Sequence, residues 1–101
     1  MARHGEYKTP GGKLVVADVV VEGGRIVSAE VTGDFFLEPE TALASMTAAL
    51  VGAPADASER ELADLMERSL PEGAQLIGFS TEAVATAVRR AIDVDSPRER
   101  V

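Results

Sequence analysis

Lys13–Glu22 (KLVVADVVVE), Gly23-Gly24 and Arg25–Thr32 (RIVSAEVT) decide the fold. The first stretch is rich in valine, whose branched Cβ suits a pleated strand better than a helix. Gly23-Gly24 supplies two residues that accept positive φ, as a two-residue hairpin turn requires. The return stretch alternates, so Val27, Ala29 and Val31 are expected to face the core, with Ser28 and Glu30 outside. Gly33 interrupts that alternation, and Asp34-Phe35-Phe36-Leu37 follows as a short third strand or extended edge.

Downstream of the hairpin the period changes from two to 3.6. Pro39 suits the first turn of a helix, and Glu38 and Glu40 place negative charge at the positive end of its dipole. Leu43, Met46, Thr47 and Leu50 then recur on one stripe, and Gly52-Ala53-Pro54 stops the helix. Ser58 and Glu61 have the spacing of a capping box for a second helix with the stripe Leu62, Leu65, Met66 and Leu70. After Pro71-Glu72-Gly73, QLIGF (residues 75–79) reads as an extended connector plugging the core. Ser80 or Thr81 caps a third helix carrying Val84, Val88, Ala91 and Ile92 inward, with Arg89 and Arg90 near its negative end.

Strands followed by helices predict an α+β domain: a small antiparallel sheet (hairpin plus edge strand) with three helices on one face and the other face free. The expected division is a polar arm over 1–12, one domain over 13–92 and a mobile tail over 93–101. With 101 residues, 46% hydrophobic and 27% charged, the chain has room for one core.

The absence of cysteine excludes disulfides, thiolate metal sites and a cysteine nucleophile. No apolar run approaches the ~20 residues that span a bilayer, and residues 1–5 lack the apolar segment of a secretory signal, so a cytoplasmic protein without a membrane partner is expected. A net charge of −7 argues against a nucleic-acid partner, whose phosphates demand clustered Lys and Arg. His4, the single histidine, is expected to be exposed on the arm, without the partners that catalysis or metal binding needs. Glu38 and Glu40 are accounted for by the helix dipole.

Two short blocks remain. In Thr9-Pro10-Gly11-Gly12-Lys13 the glycines let backbone N–H groups approach a ligand and Lys13 adds positive charge, yet Walker spacing is absent and no helix follows. Residues alone favour a structural turn there. Gly33-Asp34-Phe35-Phe36 holds two of the three phenylalanines; strand alternation sends them to opposite faces, one to the core and one toward a partner, unless both join Phe79 in a local cluster.

The run from Gly11-Gly12-Lys13 through the strand pair, Gly33-Asp34-Phe35-Phe36-Leu37, Pro39 and a helix ending at Leu50 and Gly52 resembles the C-terminal accessory domain of lipoate-protein ligases. Leu76-Ile77-Gly78-Phe79-Ser80 ahead of an alanine-rich helix matches as well, so the resemblance covers about residues 7–92. In that family ATP activates lipoate to lipoyl-adenylate, and the lipoyl group passes to a lysine of an acceptor domain. The accessory domain is either fused to the catalytic domain or encoded separately. The resemblance therefore implies a separate, cytoplasmic accessory subunit, inactive alone, paired with a catalytic lipoate-protein ligase subunit that holds ATP and lipoate. It implies no cofactor, metal or catalytic residue on this chain. Contacts to partner or nucleotide are expected at Gly11, Gly12, Lys13, Gly33, Asp34, Phe35 and Phe36. The implied fold is similar to iron-sulfur scaffold proteins of the SufE/NifU kind. A free-standing small-molecule binding or carrier module is the competing class, and an autonomous hydrolase or transferase is disfavoured because no nucleophile and base stand out.

Overall fold

A computed structural model describes residues 2–11 and 13–93, with Phe36 described by its backbone alone. Gly12 and residues 94–101 of the expected tail lie outside the described residues, whereas Asp93 closes the last helix. The strands are β1 (Arg3–Lys8), β2 (Leu14–Glu22), β3 (Arg25–Gly33), β4 (Phe36–Glu38) and β5 (Gln75–Ile77). The helices are α1 (Thr41–Leu50), α2 (Glu59–Ser69) and α3 (Thr81–Asp93). The α+β class is as expected, but its strands are arranged differently. The sheet is antiparallel in the order β1-β2-β3, and β4 pairs with β5 in a separate ribbon, Phe36 opposite Ile77 and Glu38 opposite Gln75.

The polar arm is thus corrected to a strand. Arg3 pairs with Val19 and Lys8 with Leu14 along an unbroken register. Its only fully buried residue is Gly5. A Cβ there would stand 2.8 Å from Ala91 Cα and closer still to the Ala87 carbonyl oxygen and Ala91 nitrogen. Glycine lets the backbone of α3 lie directly on β1. Two clasps reinforce the contact: Arg3 donates to the Ile92 carbonyl at 3.0 Å, and Arg90 donates to the Glu6 carbonyl at 3.0 Å with its guanidinium 5.1 Å from the Tyr7 ring centre.

The hairpin turn forms as read, with Gly23 and Gly24 at φ 61° and 78°. The inward face of β3 forms only in part: Ala29 and Val31 turn inward as expected, and Val27 does not. Val20 pairs with Ser28 but Val21 with Ile26, so Val27 is an extra residue in a bulge. Ile26 is consequently buried and Val27 is 43% exposed, while Ala29 is half-buried and Val31 buried. On β2 the inward residues are Val15, Ala17 and Val19.

α3 lies across β1 and β2, α1 lies on β3, and α2 packs against both helices. The core joins the inward valines to Met46, Leu50, Leu62, Met66, Val84 and Val88. Ser58 and Glu61 make the expected reciprocal capping box at α2. Ser80 Oγ accepts from Ala83 N at 3.1 Å and caps α3. At α1 the sequence reading shifts: Pro39 stands ahead of the helix, its carbonyl accepting from Ala42 N at 2.9 Å, and no acid occupies the first turn. The QLIGF segment is an edge ribbon more than a plug, since Ile77 is 52% exposed. Arg89, expected to complement the helix dipole, also donates to the Ala57 carbonyl at 3.1 Å and to the Ala55 carbonyl, holding the loop before α2.

Candidate functional site

The chain enters β2 and leaves β3 at the same end of the sheet, because the two strands are antiparallel neighbours with Val15 opposite Gly33. That pairing brings the two sequence blocks together. Thr9 N donates to the Lys13 carbonyl at 2.7 Å and Lys13 N donates to Thr9 Oγ1 at 3.1 Å, which ties Lys13 to the residue that follows β1 and leaves its side chain exposed. Asp34 N donates to the Leu14 carbonyl at 3.1 Å and carries the ladder one step past β3. An open pocket of about 400 Å³ at this end is lined by Lys13, Gly33, Asp34 and Phe35.

Glycines permit the close packing here. A Cβ on Gly33 would collide with the Leu14 carbonyl and stand 2.7 Å from Phe35 Cε2. At Gly78, which has φ 90°, a Cβ would meet Lys13 Cγ at 3.4 Å and Cε at 3.7 Å, so the aliphatic stem of Lys13 crosses over this glycine. Phe35 is half-buried and stacks on Phe79, with ring centres 4.0 Å apart and planes at 23°. Beyond Phe79 a smaller pocket of about 160 Å³ is lined by residues that include Tyr7, Thr9, Pro10, Ser80 and Glu82. Gly11 is exposed with open space around it. The side chain of Phe36 lies outside what is described, as does Gly12, so the expected division of labour between Phe35 and Phe36 has only its Phe35 half: a local stack with Phe79.

The sequence alone singles out Lys13, Gly33, Asp34 and Phe35 and offers Phe79 as a neighbour of the aromatic block, but it assigns no role to Thr9 or Gly78. The signal for Gly78 was its position between apolar residues in LIGF, where a positive φ breaks the extended run.

Lys13 supplies a cation and Asp34 an anion beside an aromatic wall. The single histidine stands four residues before Lys8 on β1, roughly 13 Å along the strand. It is exposed as expected but has partners: Nε2 lies 2.7 Å from a Glu6 carboxylate oxygen and Nδ1 lies 2.8 Å from one of Asp18. Hydrogen bonds to Glu6 first and Asp18 second raise its pKa above 6.5. Both ring nitrogens are engaged by carboxylates, which stabilise the imidazolium and leave no free nitrogen to accept a proton from a nucleophile.

No protein-family model and no curated protein sequence matches the chain. Its fold does have a counterpart. A solved chain from the archaeal lipoylation system of Thermoplasma acidophilum, a bi-partite lipoate protein ligase with its E2 lipoyl domain, is similar at a TM-score of 0.65 and 21% identity. The superposition covers 88% of this chain and 93% of that one. At this identity the likeness is one of fold.

Proposed function

We propose that this chain is the non-catalytic accessory component of a two-part lipoate-protein ligase, required when a separate catalytic subunit uses ATP to convert lipoate to lipoyl-adenylate. The observation that carries the reading is the fold match to a chain of a bi-partite ligase system over nearly the full length of both chains. The clustering of Lys13, Gly33, Asp34 and Phe35 at one end supports it, because these residues belong to the two blocks that resemble the ligase accessory domain. Adenylation requires groups that neutralise and orient a triphosphate, and one exposed lysine on an acidic chain cannot do this alone. Lys13, exposed and hydrogen-bonded through its backbone to Thr9, is instead suited to complete a site whose other groups come from the catalytic subunit.

The test is reconstitution. Lipoyl-adenylate formation is measured with this chain alone, with the catalytic subunit alone, and with both. The chain alone should give none, and its addition should restore the step. Lys13→Ala should lower the restored rate while leaving the melting temperature unchanged, since the side chain is exposed. Equal adenylation with and without this chain refutes the proposal. The intact mass of the chain after the full reaction provides a second discriminator: lipoylation on Lys8 or Lys13, its two lysines, would make it an acceptor instead.

A further inference from the structure

The lower half of β3 is an open sheet edge. Asp34 N donates to the Leu14 carbonyl, and this sets the phase of the ladder: Thr32, Glu30 and Ser28 exchange bonds with β2, whereas Ala29 and Val31 turn their N–H and C=O groups away from it. At the other end of β3 the outward groups are already used. Ile26 N donates to the Ala53 carbonyl at 2.9 Å, and Gly52 N donates to the Ile26 carbonyl at 2.7 Å. The Val27 bulge and this loop protect residues 25–28 against strand addition. Among the described residues no hydrogen bond reaches the outward groups of Ala29 or Val31.

Beside this edge runs an open groove of about 650 Å³, with Ser28–Thr32 on one wall and Glu40, Leu43, Ala44 and Thr47 of the α1 region on the other. We propose that an extended, basic segment of a partner protein adds antiparallel to β3 at Ala29 and Val31. The chemistry of the occupant follows from the two sides it would meet. Residues facing α1 meet Leu43 and Ala44 and should be small or β-branched. Residues facing the open side meet Glu30, and the groove carries Glu30 and Glu40 with no lysine or arginine, so those positions should be Lys or Arg. A second copy of β3 is a poor occupant, because it would bring its own Glu30 into this acidic groove. The inference stands apart from the ligase reading and holds for any partner with such a segment.

The probe is a capped peptide of alternating lysine and valine, compared with a glutamate-valine peptide by NMR and amide exchange on the full chain. The lysine peptide should slow exchange at Ala29 and Val31 by ~10-fold or more at saturation and bind less well as salt rises; the glutamate peptide should do neither. Ala29→Pro removes one outward N–H, which an edge strand tolerates, and should abolish binding with little change in melting. Ala44→Arg, at an exposed groove position, should do the same and provides the test if the proline variant unfolds. The proposal is overturned by absence of binding, by protection elsewhere, by equal binding of both peptides, or by full affinity in either folded variant. Slowed exchange at these amides that depends on protein concentration without peptide would assign the edge to a second copy and also overturn it.

Discussion

Replacing Gly5 with alanine tests whether β1 is part of the domain or an appended arm. An added Cβ would sit 2.8 Å from Ala91 Cα and nearer still to Ala87 O and Ala91 N, where ordinary contact begins at 3.4 Å. The opposing atoms are helix backbone, so no rotamer change relieves the overlap, and α3 would have to retreat by more than about half an ångström. α3 carries Val84, Ala87, Val88 and Ala91 into the core, so the retreat loosens every layer it touches. Overpacking of this kind costs typically 1–3 kcal/mol, and a rigid backbone clash belongs at the upper end, about 3 kcal/mol. Against a total of roughly 5–15 kcal/mol this is a large fraction, and it corresponds to a loss of about 12–24 °C in melting temperature for a domain near 100 residues. Thermal and urea unfolding of Gly5→Ala should be read beside Gly11→Ala, where a Cβ meets open space and the melt should stay put. If Gly5→Ala melts within about 3 °C of the parent chain, the close seating of α3 on β1 is wrong.

Two further outcomes follow from side-chain pairs. Phe35→Ala, Phe79→Ala and the double variant should show a coupling of about 0.5–1.5 kcal/mol in urea unfolding, because the rings stack at 4.0 Å; additivity within about 0.3 kcal/mol would mean that the stack contributes nothing of its own. His4 should titrate above 6.5 by NMR, and since the pKa is raised on folding, its stabilising contribution is complete below 6.5 and disappears as pH rises through the folded value. The same titration in Glu6→Gln should move the pKa back toward 6.5, and an unmoved value would remove Glu6 as the leading cause.

The elements that sequence revealed are those whose signals are local. The valine run, the Gly23-Gly24 turn and the Ser58–Glu61 box each lie within a few residues and need no tertiary contact to be read. β1 was hidden because its buried centre is Gly5, a residue that weakens a strand by propensity yet is required here by the helix above it. Val27 misled for a related reason: alternation holds only while the register is unbroken, and the bulge that breaks it leaves no composition signal. The β4–β5 ribbon pairs residues nearly forty positions apart, which no local pattern reports. The same geometry limited the site. Lys13, Gly33, Asp34 and Phe35 were each visible as unusual residues, but their meeting depends on the Val15–Gly33 pairing, and the seat of the Lys13 stem on Gly78 depends on that ribbon.

The open edge and the Lys13 end are close neighbours on one strand, and their roles can be separated. Gly33 follows Val31 by two residues, roughly 7 Å along β3, so a partner segment bonded at Ala29 and Val31 would continue past the pocket that Lys13 and Asp34 line. If both belong to one interface with a catalytic subunit, the edge supplies backbone bonds that set affinity, and Lys13 supplies a charge that acts on the reacting groups. Ala29→Pro should then raise the amount of this chain needed for half-maximal adenylation while leaving the rate at saturation unchanged. Lys13→Ala should lower the saturating rate with a smaller change in the half-maximal amount, because an exposed single charge contributes little to a large interface. Titrating each variant into the catalytic subunit distinguishes the two. A proline variant that loses rate at saturation as severely as Lys13→Ala would mean that strand addition positions the catalytic groups as well as holding the partner.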